Sequence, residues 1–150
     1  MDGSEAEPQW RPKIVESGPW AGWLNYTGDP FEDLNGPFYY KIGDDGAVVS
    51  AFRAERKHIN GSGFLHGGCL MTFADYALFA IAHETLTGVG SVTASLNGEF
   101  IDGAKDGDFI EAHGEVVRAG GSLVFVRGLI STSGRPLFNF SGIVKKLRRS

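Results

Sequence analysis

One cysteine, Cys69, is all that this 150-residue chain carries, so no internal disulfide can form and a reducing compartment is indicated. No uncharged apolar run reaches the ~18 residues that a membrane-spanning helix needs. The opening stretch, MDGSEAEPQW, is acidic where a secretory leader would begin basic and turn apolar. A cytoplasmic protein with no membrane partner is expected. Excess positive charge is also missing. The 14 Lys and Arg stand against 18 Asp and Glu, a formal charge of −4, which argues against nucleic acid as a partner. The one basic cluster, Lys145, Lys146, Arg148 and Arg149, is read as a solvated tail rather than a docking site. The 4 histidines include no pair at metal-ligand spacing, so neither a metal nor a redox cofactor is expected.

Glycine is plentiful instead, at 22 residues, and marks tight turns and close backbone approaches. Residues 1–36 read as an irregular, Trp-containing segment whose first dozen residues are mobile. Within it Asp29-Pro30-Phe31-Glu32 signals a short helix: Asp caps, Pro takes the first helical position and Glu enters the first turn, before Gly36-Pro37 ends it. Residues 37–150 form the main domain. Phe38–Ile42 and Ala47–Ala54 read as strands joined by Gly43-Asp44-Asp45-Gly46. A Gly-rich loop leads to one long helical pattern, Cys69 to about Leu86, with Leu70, Phe73, Ala74, Ala77 and Ile81 on one stripe. Four strands follow: Ser91–Ile101, Phe109–Val117, Leu123–Thr132 and Leu137–Leu147. Their short connections favour antiparallel neighbours. The fold class is α+β, an antiparallel sheet wrapped around one long central helix.

From Cys69 to Ala82 the only side chain expected to carry charge at neutral pH is Asp75. It lies away from the apolar stripe, on a side shared with Met71, Thr72 and Phe79. A helix apolar on both sides needs two covers, one of them the sheet and the other most simply a partner subunit. Asp75 is then either a structural carboxylate paired to an Arg or backbone group, or a functional one whose burial raises its pKa toward that of a base. The preceding loop, Asn60-Gly61-Ser62-Gly63-Phe64-Leu65-His66-Gly67-Gly68, delivers glycines to a helix N-terminus. Unpaired N–H groups there suit an oxyanion, and the glycines let a carbonyl approach. A flexible turn explains them equally. His66 stands nine residues before Asp75 and is expected to orient the loop rather than touch the carboxylate. Cys69 reads as core packing before nucleophile.

Asn60, His66-Gly67-Gly68 and Asp75, in this loop-then-helix context, resemble the signature of hotdog-fold acyl-CoA thioesterases, nearest the phenylacetate-degradation (PaaI-like) branch. The similarity runs from about Phe38 to Leu147 and takes in Phe100-Ile101-Asp102-Gly103-Ala104. It implies an acyl-CoA substrate and a site shared across a homodimer, in a dimer of dimers. It further implies that Asp75 activates water or attacks the thioester, that the Gly67 N–H polarises the carbonyl, that Asn60 positions water or acyl group, and that His66 supports the loop. Thr93, with Ser91 nearby, matches an assisting hydroxyl. Gly68, Phe64, Met71 and Phe79 would border the acyl group. Arg118 and Lys146, with Arg56 and Lys57, are the cations placed to meet coenzyme A phosphates. Asp102 departs from the basic or small residue frequent in relatives. The Trp-rich segment is expected to cover the sheet.

Two other functions compete. A hotdog dehydratase or hydratase would need a His working with the acid, yet the long helix has none before His83. A non-catalytic acyl-CoA-binding module would keep the pocket without needing Asp75.

Overall fold

The computed structural model describes residues 11–148. The N-terminal ten residues, with Trp10 and the mobility expected of them, lie outside that range, as does Arg149 of the basic cluster.

Eight strands form one sheet: β1 (Pro12–Ile14), β2 (Leu24–Tyr26), β3 (Tyr39–Ile42), β4 (Val48–Arg53), β5 (Ser91–Phe100), β6 (Phe109–Ala119), β7 (Leu123–Thr132) and β8 (Arg135–Lys146). The order across the sheet is β1-β2-β3-β4-β6-β7-β8-β5, and every neighbouring pair is antiparallel. The chain after the central helix thus crosses to the far edge, where β5 pairs only with β8. Ser133 and Gly134, with φ of 46° and 76°, make the two-residue turn joining β7 to β8, the left-handed conformation that matches strand twist.

The helix α2 (Gly67–Ile81) packs on the sheet through Leu70, Phe73, Ala74, Ala77, Leu78 and Ile81, all buried. Two glycines set how close it comes. A Cβ on Gly142 of β8 would stand 2.5 Å from Leu78 Cδ1, and one on Gly114 of β6 would stand 2.7 Å from Ile81 Cδ1. No helix among the described residues is long and apolar enough to cross a membrane.

Three expectations change. The central helix starts at Gly67, not Cys69, because the His66 side chain caps it from outside the apolar stripe. It also ends at Ile81. Ala82 leaves helical geometry, at φ −88° and ψ 8°, and the four-residue α3 (His83–Leu86) follows. Burial of Leu86 continues the apolar pattern past the break and hides it in the sequence. The N-terminal third, expected to be irregular apart from its helix, supplies β1 and β2 to the same sheet. At three residues each, these strands are too short for alternation to show. The expected helix is there as α1 (Pro30–Asn35), with Asp29 Oδ1 accepting from the N–H groups of Phe31 and Glu32 at 3.1 and 3.0 Å. Lys145 and Lys146 lie within β8 rather than in a tail.

Trp20 covers the sheet as expected. Its ring stacks on Tyr39 at 4.3 Å and on Phe109 at 5.6 Å, and meets Trp23 edge-on at 5.1 Å.

Candidate active site

Met71, Asp75 and Phe79 recur every four residues on α2 and are only partly buried, whereas the sheet-facing stripe is fully buried. Asp75 therefore sits on an uncovered, mostly apolar side of the helix. The neighbouring β5 reaches it: Thr93 Oγ1 donates to Asp75 Oδ1 at 2.5 Å. No partner for Oδ2 is present among the described residues. Burial pushes the Asp75 carboxyl above its ordinary range, the Thr93 hydrogen bond opposes this, and the Asp29 charge adds a smaller upward push. The carboxyl is thus partly desolvated, with Oδ1 held by Thr93.

A separate arrangement forms around the start of α2. Asn60 Oδ1 accepts from the N–H groups of Ser62 and Phe64 at 2.9 and 3.1 Å, which folds the glycine loop on itself. His66 Nδ1 accepts from Gly68 N–H at 2.8 Å, so a neutral His66 carries its proton on Nε2. The Gly67 N–H has no acceptor among the described residues, as expected at the first helical position. A Cβ on Gly67 would stand 3.2 Å from Phe100 Cε1. The end of β5 thus covers Gly67 while its beginning carries Thr93 to Asp75.

These two groups do not meet within one chain. Eight residues of helix separate Gly67 from Asp75, about 12 Å at the usual rise. Phe64 stays with the loop, its ring 2.8 Å from where a Cβ on Gly103 would be. Arg118 and Lys146 lie away from Gly67. Lys146 is paired with Ser91 at the start of β5, two rungs from Thr93, and Arg118 faces Phe125 across β6 and β7. Lys57 is occupied at 2.5 Å by the carbonyl of Gly36. Cys69 packs against the core and burial pushes its thiol up to about 12, which removes it as a nucleophile. Asp102 pairs with Arg135 at 2.8 Å and accepts from Gly103 N–H, fixing the turn after β5.

The family model described as the thioesterase superfamily matches residues 62–138, which take in most of the capped loop, α2, β5 to β7 and the start of β8. A Pseudomonas aeruginosa protein with the provisional name esterase PA0474 is 32% identical over 119 residues, covering 79% of this chain and 89% of its own length. The chain belongs to the thioesterase superfamily. Its fold is the hotdog fold. The E. coli PaaI protein from the phenylacetic acid degradation operon superposes with a TM-score of 0.70 at 19% identity, over 82% of this chain and 88% of PaaI. A hypothetical thioesterase from Streptococcus pneumoniae, solved with coenzyme A, gives 0.66 at 23% identity over 75% and 88%.

Outside the matched residues, this thioesterase-superfamily chain carries two further acids whose charges couple electrostatically with Asp75, Asp29 and Glu32. Glu32, on α1, is partly buried, and its carboxyl has no hydrogen-bond or ion-pair partner among the described residues. Burial, then the charges of Asp29, Asp75 and Asp33, push it up to about 7. The helix-start pattern gave the position of Glu32 along the chain, but not that α1 packs on α2.

Proposed function

We propose that this protein is an acyl-CoA thioesterase, hydrolysing an acyl-CoA to the free acid and coenzyme A, with Asp75 as general base. The observation that carries this is the Asp75 carboxyl itself: desolvated, held at Oδ1 by Thr93 and open at Oδ2. An attacking water gives a proton to Oδ2 while its oxygen bonds to the thioester carbon. The carbonyl oxygen becomes an oxyanion, held by the Gly67 N–H at the positive end of α2. Collapse breaks the C–S bond, and the departing thiolate takes the proton back from Asp75.

Because Asp75 and Gly67 lie ~12 Å apart along one helix, we assign them to opposite subunits of a homodimer, with Asn60 and His66 holding the loop on the Gly67 side. The uncovered Met71-Asp75-Phe79 side supports such a contact and offers apolar surface for an acyl group. Arg118 and Lys146 are the proposed phosphate contacts. Coenzyme A enters as part of the substrate, so the reaction needs no cofactor. The dehydratase alternative lacks its base: α2 carries no histidine, and His83 begins α3 with Nδ1 3.0 Å from the carbonyl of Ala80.

Free-thiol release over a panel of aryl and straight-chain acyl-CoAs, wild type beside Asp75→Asn, tests this. Wild type is expected to turn over at least one substrate class and the variant to lose about 100-fold or more while folded, the worth of a positioned acid–base group. Binding of acyl-CoA without thiol release from any panel member would instead leave a binding module.

A further inference from the structure

Both glycines that open α2 have a ring where a side chain would be. A Cβ on Gly68 would stand 2.9 Å from Nδ1 of His66, the ring that caps the helix. At Gly67 the ring is that of Phe100, at the end of β5, whose Cε1 and Cζ lie 3.2 and 3.4 Å from where a Cβ would be. Phe100 rests on Phe138 of β8, with centroids 4.7 Å apart, and Phe138 is fully buried. Gly98 makes that seat possible, since a Cβ there would collide with the Phe138 ring. The chain beyond Phe100 is fixed as well. Ile101 N–H donates to the carbonyl of Leu137 at 2.8 Å, and Arg135 Nη1 donates to Asp102 and to the carbonyl of Gly103. From the capped loop, Leu65 N–H donates to the carbonyl of Ala104 at 2.7 Å. Loop, strand end and helix start are thereby tied into one unit. Yet Phe100 is 58% exposed. A firmly seated apolar ring, uncovered over half its surface and beside the Gly67 N–H, is placed to wall a ligand held there.

We propose that Phe100 is a specificity-determining residue of this site, limiting bulk on the acyl α-carbon. This rests on the hydrolysis set out above, in which the Gly67 N–H holds the thioester oxygen. An oxygen about 3 Å from that nitrogen puts the carbonyl carbon about 4 Å away and the α-carbon about 5 Å. Those atoms fall within reach of a ring edge seated against Gly67. Of the two substituents on the carbonyl carbon, the sulfur carries the same methylene in every acyl-CoA. Only the α-carbon varies, so the ring discriminates there. A straight acyl chain presents hydrogens to the ring edge, whereas an α-methyl group needs the space that the ring fills. Backed by Phe138 in a filled core, the ring does not give way.

The test compares kcat/KM for acyl-CoA pairs that differ only by an α-methyl group, using wild type, Phe100→Leu and Phe100→Ala. Butanoyl against 2-methylbutanoyl serves the straight chains, and arylacetyl against 2-arylpropanoyl the aryl ones. Wild type is expected to prefer the unbranched member. Phe100→Ala should cut that preference about tenfold, the low end of what one methyl group decides in a hydrophobic pocket. Phe100→Leu should cut it about threefold, and decides alone if the Ala variant does not fold. Each ratio is taken within one preparation, so any loss of folded protein cancels. Inhibition by free coenzyme A, which has no acyl group, should stay unchanged. A wild type without preference, or a ratio unmoved in the active variants, overturns the proposal. So does an equal loss on every substrate with weakened coenzyme A inhibition, which would put the ring against the thiol arm. Failure of the parent reading looks different: wild type releases thiol from no member of either class.

Discussion

Among the described residues, Thr93 is the one side chain that both holds Asp75 in place and favours its ionised form. Replacing it by Val keeps the shape and removes the donor. Without that hydrogen bond the Asp75 carboxyl rises further, so the acid limb of kcat/KM should move to higher pH. The rate on the plateau should fall about tenfold, since a hydrogen bond to a charged group is worth about 1.5–3 kcal/mol. An acid limb that stays where it was would separate Thr93 from the ionisation of Asp75. Of this pair, the sequence marks Asp75 plainly: it is the only charge on an otherwise apolar helix, and burying a charge requires either a partner or a use. The hydrogen bond to Thr93 is not legible in the same way. Thr93 stands 18 residues later, and the helix-to-β5 crossover that brings it back leaves no local trace. His66 gives the converse lesson. Its nearness to Asp75 in sequence invites a catalytic pair, but its Nδ1 is engaged in capping α2 through Gly68.

At the scale of elements, the long strands and the central helix are legible because eleven or twelve residues of alternation, or fifteen of helical spacing, exceed chance. The short β1 and β2 are not, since three residues carry no period. Element contacts also explain glycines that look like turn residues in the sequence. Gly142 lies mid-strand, where a Cβ would strike Leu78 of α2 at 2.5 Å. Gly142→Ala should cost about 1–3 kcal/mol of stability in urea unfolding, by overpacking. Combined with Leu78→Ala, it should cost less than the sum of the two single changes, because truncating Leu78 vacates the space. Strict additivity would show that the helix does not rest on this glycine. For α1, the sign of the pH effect follows from Glu32. Its folded carboxyl lies near 7 against an ordinary 4.5, so the stability it contributes is full below about 4.5 and lost as pH rises through 7. In thermal unfolding, the Tm of Glu32→Gln should match wild type at pH 4 and exceed it by a few degrees at pH 8. A constant difference across that range would mean that Glu32 acts on stability through packing rather than charge.

At the scale of the whole molecule, the sequence foretells that α2 needs two covers, and among the described residues one chain supplies the sheet and, beyond it, only the short helices α1 and α3. The long edge strand β5, exposed along most of its length, and the partly buried Met71-Asp75-Phe79 side together leave room for a second copy. If that copy completes the site, two inactive variants should rescue one another. One is Asp75→Asn. The other is Gly67→Pro, which removes the proposed oxyanion donor at a first helical position, where proline is accommodated; the preceding His66, at φ −65° and ψ 134°, already has the backbone that a following proline requires. Each alone should lose 100-fold or more, with Gly67→Ala as a milder control that retains the N–H. Refolded together in equal amounts, half of the dimers are mixed, and each mixed dimer holds one site with both Asp75 and the Gly67 N–H. Activity should then return to about a quarter of wild type, as two-fold symmetry dictates. A mixture no more active than its components would place Asp75 and its oxyanion donor in a single chain, and another N–H than that of Gly67 would have to fill the role.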